Sequence, residues 1–349
     1  MTAPISENEL RAAIDRELPG VRADLERLVR IPGIAFDGFD HSQVERSAEA
    51  VAELLRGVGL PDVRIVRAGG QPAVIGRKPA PAGASTVLLY AHHDVQPPGD
   101  LGQWRSDPFE PVERDGRLYG RGAADDKAGI MAHIAALRAF GDALPVGVVV
   151  FVEGEEEYGS ESLETLLREY RAELASDVIV IADSANWDVG QPALTTGLRG
   201  IVNAFVEVRT LDHAVHSGMF GGPVPDALTT MSRLLATLHD DNGDVAVSGL
   251  VRGPAAPLDY PEDRFRHEAG VLDGVDLIGT GRIVERVWTK PAISVLGIDA
   301  PSTGEAPNAL VPAARAKVSV RIAPGDNWKS AYEALTAHLE RNVPWGARV

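Results

Sequence analysis

The sequence predicts an α/β fold, a mostly parallel sheet flanked by helices, followed by a separate α+β module. Three observations predict it. Short continuous apolar runs alternate with helical patterns in the first half of the chain. Strands in which apolar and polar residues alternate dominate the second half. A length of 349 residues exceeds what one ordinary core needs.

In chain order, residues 7–30 come first, with apolar side chains at helical spacing (Leu10, Ala13, Ile14, Leu18, Val21, Leu25, Leu28, Val29). Residues 43–58 repeat the pattern, so both are amphipathic helices. Residues 85–91, 146–152 and 178–182 are short runs rich in Val, Ile and Leu, the pattern of strands buried on both faces of a parallel sheet. Helical patterns at 126–140 and 160–173 separate them. Past Thr195-Thr196-Gly197 the pattern shifts: 200–210 alternates as a half-exposed antiparallel strand, and 314–322 does likewise. Helices at 225–239 and 327–341 complete an open sheet with two helices on one face. The division expected is 1–196 and 197–349. Residues 241–290, rich in Gly, Pro and Asp, read as irregular.

Composition removes whole classes of function. Hydrophobic residues make up 44% and charged residues 24%, the balance of a globular chain. Asp and Glu total 50 against 34 Lys and Arg, a formal net charge of −16, which argues against a nucleic-acid partner. The absence of cysteine excludes disulfides, thiolate metal sites and a Cys nucleophile. Any metal must be held by His, Asp and Glu. Residues 1–20 mix charges and lack the apolar core of a signal peptide, and runs such as 144–152 are too short to span a bilayer. The expectation is a cytoplasmic protein without a membrane partner.

The residues just past each buried run carry the chemistry. The first run ends in His92-His93-Asp94, the second in Glu153-Gly154-Glu155-Glu156-Glu157, the third in Asp183, and the loop 120–127 adds Asp125 and Asp126. Ligands of open α/β sheets bind beyond the carboxyl ends of the strands, so four segments deliver imidazole and carboxylate groups to one edge. Taken singly, Asp126 and Glu155 read as helix caps or solvated acids. Together the carboxylates repel unless a cation neutralises them. A Cys-free His/carboxylate set points to zinc, with manganese and cobalt as the other candidates. His92 and Asp94, two apart, face the same way, and His93 faces the other. A carboxylate beside a metal-binding imidazole suits the orienting role. Adjacent Glu156 and Glu157 can divide duties between general base and ligand.

The runs AHHDVQP (91–97), Trp104 with Asp107-Pro108-Phe109, DGRLYGRGAADDK (115–127), EGEEEYGS (153–160) and Asp183 resemble the carnosinase-like zinc dipeptidases. These belong to the metallopeptidase family that includes aminoacylase, carboxypeptidase G and acetylornithine deacetylase. The resemblance implies a zinc-exopeptidase-like catalytic domain, a ferredoxin-like lid and dimerisation domain, two zinc ions per subunit and a homodimer. It implies His92 as ligand of one zinc with Asp94 in support, and Asp125 as the bridging carboxylate, joined to Asp126 by a cis peptide. Glu156 is then the general base, Glu157 a ligand of the second metal and Asp183 the remaining carboxylate on the His92 metal. In DHAVHSG (212–218), His216 would polarise the scissile carbonyl; Asn308 and Arg321 would hold substrate, with Arg321 on its carboxylate. His213 reads as a surface neighbour, and Ala128 replaces the family's usual Gly.

The resemblance also implies a return of the chain to the catalytic domain, with a final His ligand for the second metal. The chain ends at VPWGARV (343–349), which reads as the last lid strand, and neither His267 nor His338 replaces that ligand. Weak binding of the second metal and weak or no activity are therefore expected of this chain. The activity expected of the intact site is hydrolysis of dipeptides or short peptides by a metal-activated water. The alternatives are an N-acyl-amino-acid deacylase and a non-catalytic dimerising protein.

Overall fold

A computed structural model describes residues 5–254 and 257–349. The chain divides into two compact units, the first ending at Ala193 and the second spanning Leu194–Val349.

The first unit begins with helices α1 (Glu7–Val29) and α2 (Ser42–Gly57). Ser6 and Glu9 form a reciprocal capping box that starts α1. Strands β1 (Asp62–Val66), β2 (Ala73–Lys78) and β3 (Thr86–His92) follow, then a hairpin of β4 (Val112–Arg114) and β5 (Arg117–Tyr119). Helix α3 (Lys127–Phe140), strand β6 (Gly147–Glu153), helix α4 (Leu163–Glu169) and strand β7 (Val178–Ile181) complete the unit.

The main sheet has the order β1-β2-β6-β3-β7. β3 lies parallel to β6 and β7, while β2 is antiparallel to both β1 and β6, so the sheet is mixed. The sequence pattern reveals the three parallel strands and misses β1 and β2. The fragment DVRIV of β1 is only five residues with charges interspersed, and its partner carries Gly76 and Arg77. β6 is buried along its whole length and feeds two cores by alternation. Val148, Val150 and Val152 pack with α2 and α3 residues such as Leu55 and Ile134. Val149 and Phe151 pack with Leu166 of α4. β7 departs from the expectation of burial on both faces: all four residues are exposed, because it is the sheet's edge and pairs with β3 alone. The helix expected over 160–173 is shorter, confined to α4; Ser160 has a positive φ of 54°, which no helix accommodates.

The second unit contains β8 (Gly200–Arg209), β9 (Val215–His216), α5 (Ser217–Phe220), α6 (Ala227–Ala236) and α7 (Glu262–Ala269). Then come β10 (Ala292–Asp299), β11 (Ala309–Leu310), β12 (Ala313–Ile322) and α8 (Trp328–Asn342). β10, β12 and β8 form an antiparallel sheet in that order. Val206, Val208, Val318 and Val320 of this sheet pack against Met231 and Leu234 of α6 and Leu335 of α8. Asp226 caps α6 by accepting from the Thr229 amide.

The structure corrects two expectations in this unit. The stretch 241–290 is not wholly irregular: it holds α7 and a π-helical turn, Glu285–Thr289, with Lys290 ion-paired to Asp244 at 3.1 Å. Its helix carries a single large apolar residue, Phe265, and leaves no residue buried, so periodicity could not reveal it. The terminal residues form a 3₁₀ turn, Pro344–Gly346, in place of a strand, and only Arg348 exchanges backbone hydrogen bonds with Arg209. Among the described residues no helix is long and apolar enough to cross a membrane.

Candidate metal centre

The carboxyl ends of β3, β6 and β7 lie side by side because these strands are neighbours in register: His92 pairs with Glu153, and Tyr90 with Ile181. Residues just beyond those ends therefore share one edge. His92, Asp125 and Asp183 each bring a ligand atom to within 4.8 Å of the others. His92 is fully buried, Asp125 exposed and Asp183 half-buried, so the group opens outward on one side.

The imidazole of His92 is held in one orientation. Its Nδ1 lies 3.1 Å from the Asp94 carbonyl oxygen, which can only accept, so Nδ1 carries the proton. Nε2 then faces Asp125 Oδ1 at 3.1 Å and Glu156 Oε2 at 3.9 Å. The nitrogen left for a further partner is thus the one surrounded by carboxylate. His93 points away, as the alternation requires, and donates from Nε2 to the Pro72 carbonyl at 2.8 Å. Burial pushes its pKa down to about 4.

Asp94 does more than sit beside the imidazole, 3.4 Å from Nδ1. Its two oxygens accept from the backbone amides of Glu156 and Glu157, each at 3.1 Å. One buried carboxylate thereby ties the loop after β3 to the loop after β6. Gln96 adds a second tie: its side-chain amide donates to the Glu157 carboxylate at 2.7 Å and to the Glu157 carbonyl at 3.1 Å. Glu156 and Glu157 themselves lie outside the tight three-residue group, and Asp94 does too.

Asp126 and Glu155 are neither caps nor solvated acids. Asp126 is buried and accepts from the His92 amide at 3.1 Å, without capping α3. A Cβ on Gly129 would meet its Oδ1 at 2.1 Å, so only glycine leaves that carboxylate its place. The peptide between Asp125 and Asp126 is cis, as the resemblance implies. Buried Glu155 accepts from the amides of Gln71 and Ser162 at 2.9 and 2.5 Å, fastening the 153–162 loop to the turn before β2. Lys127, fully buried, donates to the carbonyls of Leu28 and Ile31 at 2.8 and 2.7 Å and anchors the Asp125 loop to the end of α1. These buried ties, with Gln96, are invisible to sequence reasoning. Gln96 lies in the AHHDVQP run, but nothing in its spacing tells what it touches.

The electrostatics are those of an anionic cluster. Burial, and then neighbouring Asp183, Glu157 and Asp94, raise the Glu156 carboxyl, against the opposing pull of His92. Burial likewise raises Glu157. Asp126 is pushed up to about 7, first by burial. Burial lowers His92, but Asp94, Asp126 and Glu156 overcome it and lift its pKa to about 10. Carboxylates held together out of water, around the outward ring nitrogen of His92, fit a divalent cation of the zinc type in donor chemistry and in charge.

The remaining candidates belong to the second unit. His216 is exposed, and its Nδ1 accepts from the Gly218 amide at 3.1 Å, which leaves the proton on Nε2. The pairing of β9 with β11 sets His216 opposite Ala309, and Ser217 donates from both N and Oγ to the Asn308 carbonyl at 3.0 Å. His216 and Asn308 are therefore neighbours, with the Asn308 side chain exposed. Arg321 stands exposed on β12. His213 is exposed.

A layered α/β unit with a His/carboxylate centre at the strand ends defines the metallopeptidase class. The family model of peptidase family M20/M25/M40 matches residues 88–343, and the chain belongs to that family. It is 36% identical over 311 residues to the cysteinylglycine-S-conjugate dipeptidase of Corynebacterium striatum, covering 87% of this chain and 68% of that protein. It is 34% identical over 272 residues to the Beta-Ala-His dipeptidase of Homo sapiens, covering 73% of this chain and 53% of that protein. The crystal structure of human carnosine dipeptidase 1 superposes with a TM-score of 0.77 at 28% identity, covering 99% of this chain and 79% of that one.

Proposed function

We propose that this protein hydrolyses dipeptides in a metal-dependent reaction. The observation that carries the proposal is the convergence of His92, Asp125 and Asp183 beside Glu156. The dipeptidase activity for which the relatives are named supports the substrate class. His92, Asp125 and Asp183 would hold one metal, with Asp125 also offered to a second alongside Glu157. A bound divalent ion of this kind supplies Lewis acidity, acidifying water and polarising a carbonyl.

The chain's own groups do the rest. Asp94 and Asp126 hold His92 and the Glu156–Glu157 backbone in place. Glu156, raised by burial and like charge, is suited to take a proton from the attacking water and return it to the leaving amine nitrogen. The Nε2 proton of His216 suits it to donate to the developing oxyanion. Asn308 and Arg321 would hold substrate, Arg321 at its carboxylate. The reading includes zinc as the ion, a homodimer formed through the second unit, and a cytoplasmic location.

The test is turnover by zinc-loaded protein of unblocked dipeptides against N-acetyl amino acids. Preference for unblocked dipeptides, abolished by Glu156→Gln, is the expected result. Preference for the acylated amino acids would replace the reading with deacylation. Turnover indifferent to Glu156→Gln would overturn the general base.

A further inference from the structure

The second unit's sheet packs α6 and α8 on one face, and an unusual pair of charges stands where β8 begins beside the end of β12. Side chains alternate along a strand, so residues two apart share a face. Ile201 of β8 pairs with Arg321 of β12, and Gly200 pairs with Ile322. Val320 and Ile322 are buried against the helices, which puts Arg321 and Ile201 on the open face, where both are exposed. Gly200 faces the helix side: a Cβ there would meet Ile322 Cγ1 at 2.7 Å. Arg199 lies just before β8, two residues ahead of Ile201, which brings it near Arg321.

Arg199 is half-buried and Arg321 exposed, and neither guanidinium has an ion-pair or hydrogen-bond partner among the described residues. That is notable in a chain with 50 carboxylates against 34 basic residues. Burial lowers the pKa of Arg199, and the charge of Arg321 lowers it further, so each cation is within the other's field. Two like charges this close, one of them partly desolvated, are destabilising until an anion joins them. The planar donor forks of two guanidinium groups match a carboxylate in particular.

We propose that Arg199 joins Arg321 in a two-guanidinium site for the C-terminal carboxylate of the substrate. The assignment rests on the dipeptidase reading for its substrate, while the arginine pair itself belongs to this chain's geometry. Arg199 is the new member: it sits outside every recognised motif, and its pairing with Arg321 exists only through the β8–β12 register.

The test compares zinc-loaded wild type, Arg199→Met and Arg199→Lys on a dipeptide and on its C-terminal amide. Loss of one charged hydrogen-bonding partner should raise KM for the dipeptide about 10- to 100-fold with kcat nearly unchanged. The amide, lacking the anion, should show the same KM in wild type and Arg199→Met, and Arg199→Lys should recover part of the dipeptide KM. An unchanged dipeptide KM, or an equal rise for dipeptide and amide, would overturn the proposal in favour of a structural role. A second readout is independent of turnover: titration with acetate, followed by the Nε–Hε NMR signals of the arginines. Saturable shifts of both Arg199 and Arg321, weakened in Arg199→Met, are expected; no shift at Arg199 overturns the site. Acetate binding in a protein that turns over N-acetyl amino acids in place of dipeptides would sink the dipeptidase reading and leave the anion site standing.

Discussion

Asp94 illustrates how one side chain organises a reaction centre without touching the reacting atoms. By accepting two amides of the 156–157 segment while lying against His92, it makes the base and the ligand loops a single rigid piece. Gln96 does the same for Glu157 through a charge-assisted bond. Replacing Gln96 by Leu frees that carboxylate to rotate and should weaken metal binding about 10- to 100-fold, as outer-sphere changes do. Competition titration with a zinc chelator measures this, with far-ultraviolet circular dichroism checking that the fold is retained. Glu156→Gln is expected to behave differently, lowering kcat about 100- to 10,000-fold. Metal content, read by atomic absorption, should stay at the wild-type level. Equal loss of metal in both variants would show that Glu156 is a ligand. The motif residues were legible in sequence because chemistry demands their types. Their buried partners Lys127, Glu155 and Asp126 were not, since a Lys or an acid in a loop is solvated far more often than it is buried.

At the level of elements, the three apolar runs and the long amphipathic helices declared themselves through periodicity. The short or polar elements β1, β2 and α7 did not, nor did β10 with its almost wholly exposed residues, because their stability comes from neighbours and not from a buried stripe of their own. β10 shows the reason: among its residues only Ile293 is buried, and its register shifts between Val295 and Gly297. Helix α6 depends on a local signal as well as on packing. Asp226 accepts from the Thr229 amide at 2.8 Å, so Asp226→Ala should cost about 1 kcal/mol of stability, read from chemical denaturation. Leu234→Ala on the same helix removes a fully buried side chain from the second unit's core, at an expected cost of about 2–5 kcal/mol. A Leu234 cost no larger than that of the cap would mean that α6 contributes little to this core.

For the molecule as a whole, pH sensitivity follows from buried histidines in both units. His133 donates to the Tyr90 carbonyl at 2.8 Å and His338 lies 3.1 Å from Thr237 Oγ1. Burial lowers the pKa of each in the folded protein. The unfolded chain, with ordinary histidines near about pH 6.5, therefore binds protons more readily than the folded one. Stability from this source is present above about pH 6.5 and is lost as pH falls toward the folded values. This source lowers urea midpoints between about pH 7.5 and 5.5 against the opposing contribution of the raised Asp126 carboxyl, so it is read by comparison: the midpoint of His338→Gln should lose less on acidification than that of the wild type. A His338→Gln midpoint that changes with pH as steeply as the wild type's would contradict the assignment. The acidic balance of the chain has a related cause. Part of its charge is the cluster around His92, whose mutual repulsion a bound cation relieves.

The sequence by itself determined the class of chemistry. Zero cysteines, histidine and carboxylates after successive apolar runs, and the switch from continuous to alternating strands were enough for a metal site in a chain of two modules, and the resemblance of its motifs added the peptidase family. These features are local, carried by residue type, spacing and period. Only the tertiary structure decided which carboxylates meet His92, that Asp94 and Gln96 brace the glutamates, and that Arg199 stands near Arg321. Those pairings depend on strand order and register, which bring together residues far apart along the chain. A linear pattern determines neither order nor register, because both are chosen by how buried faces pack against one another.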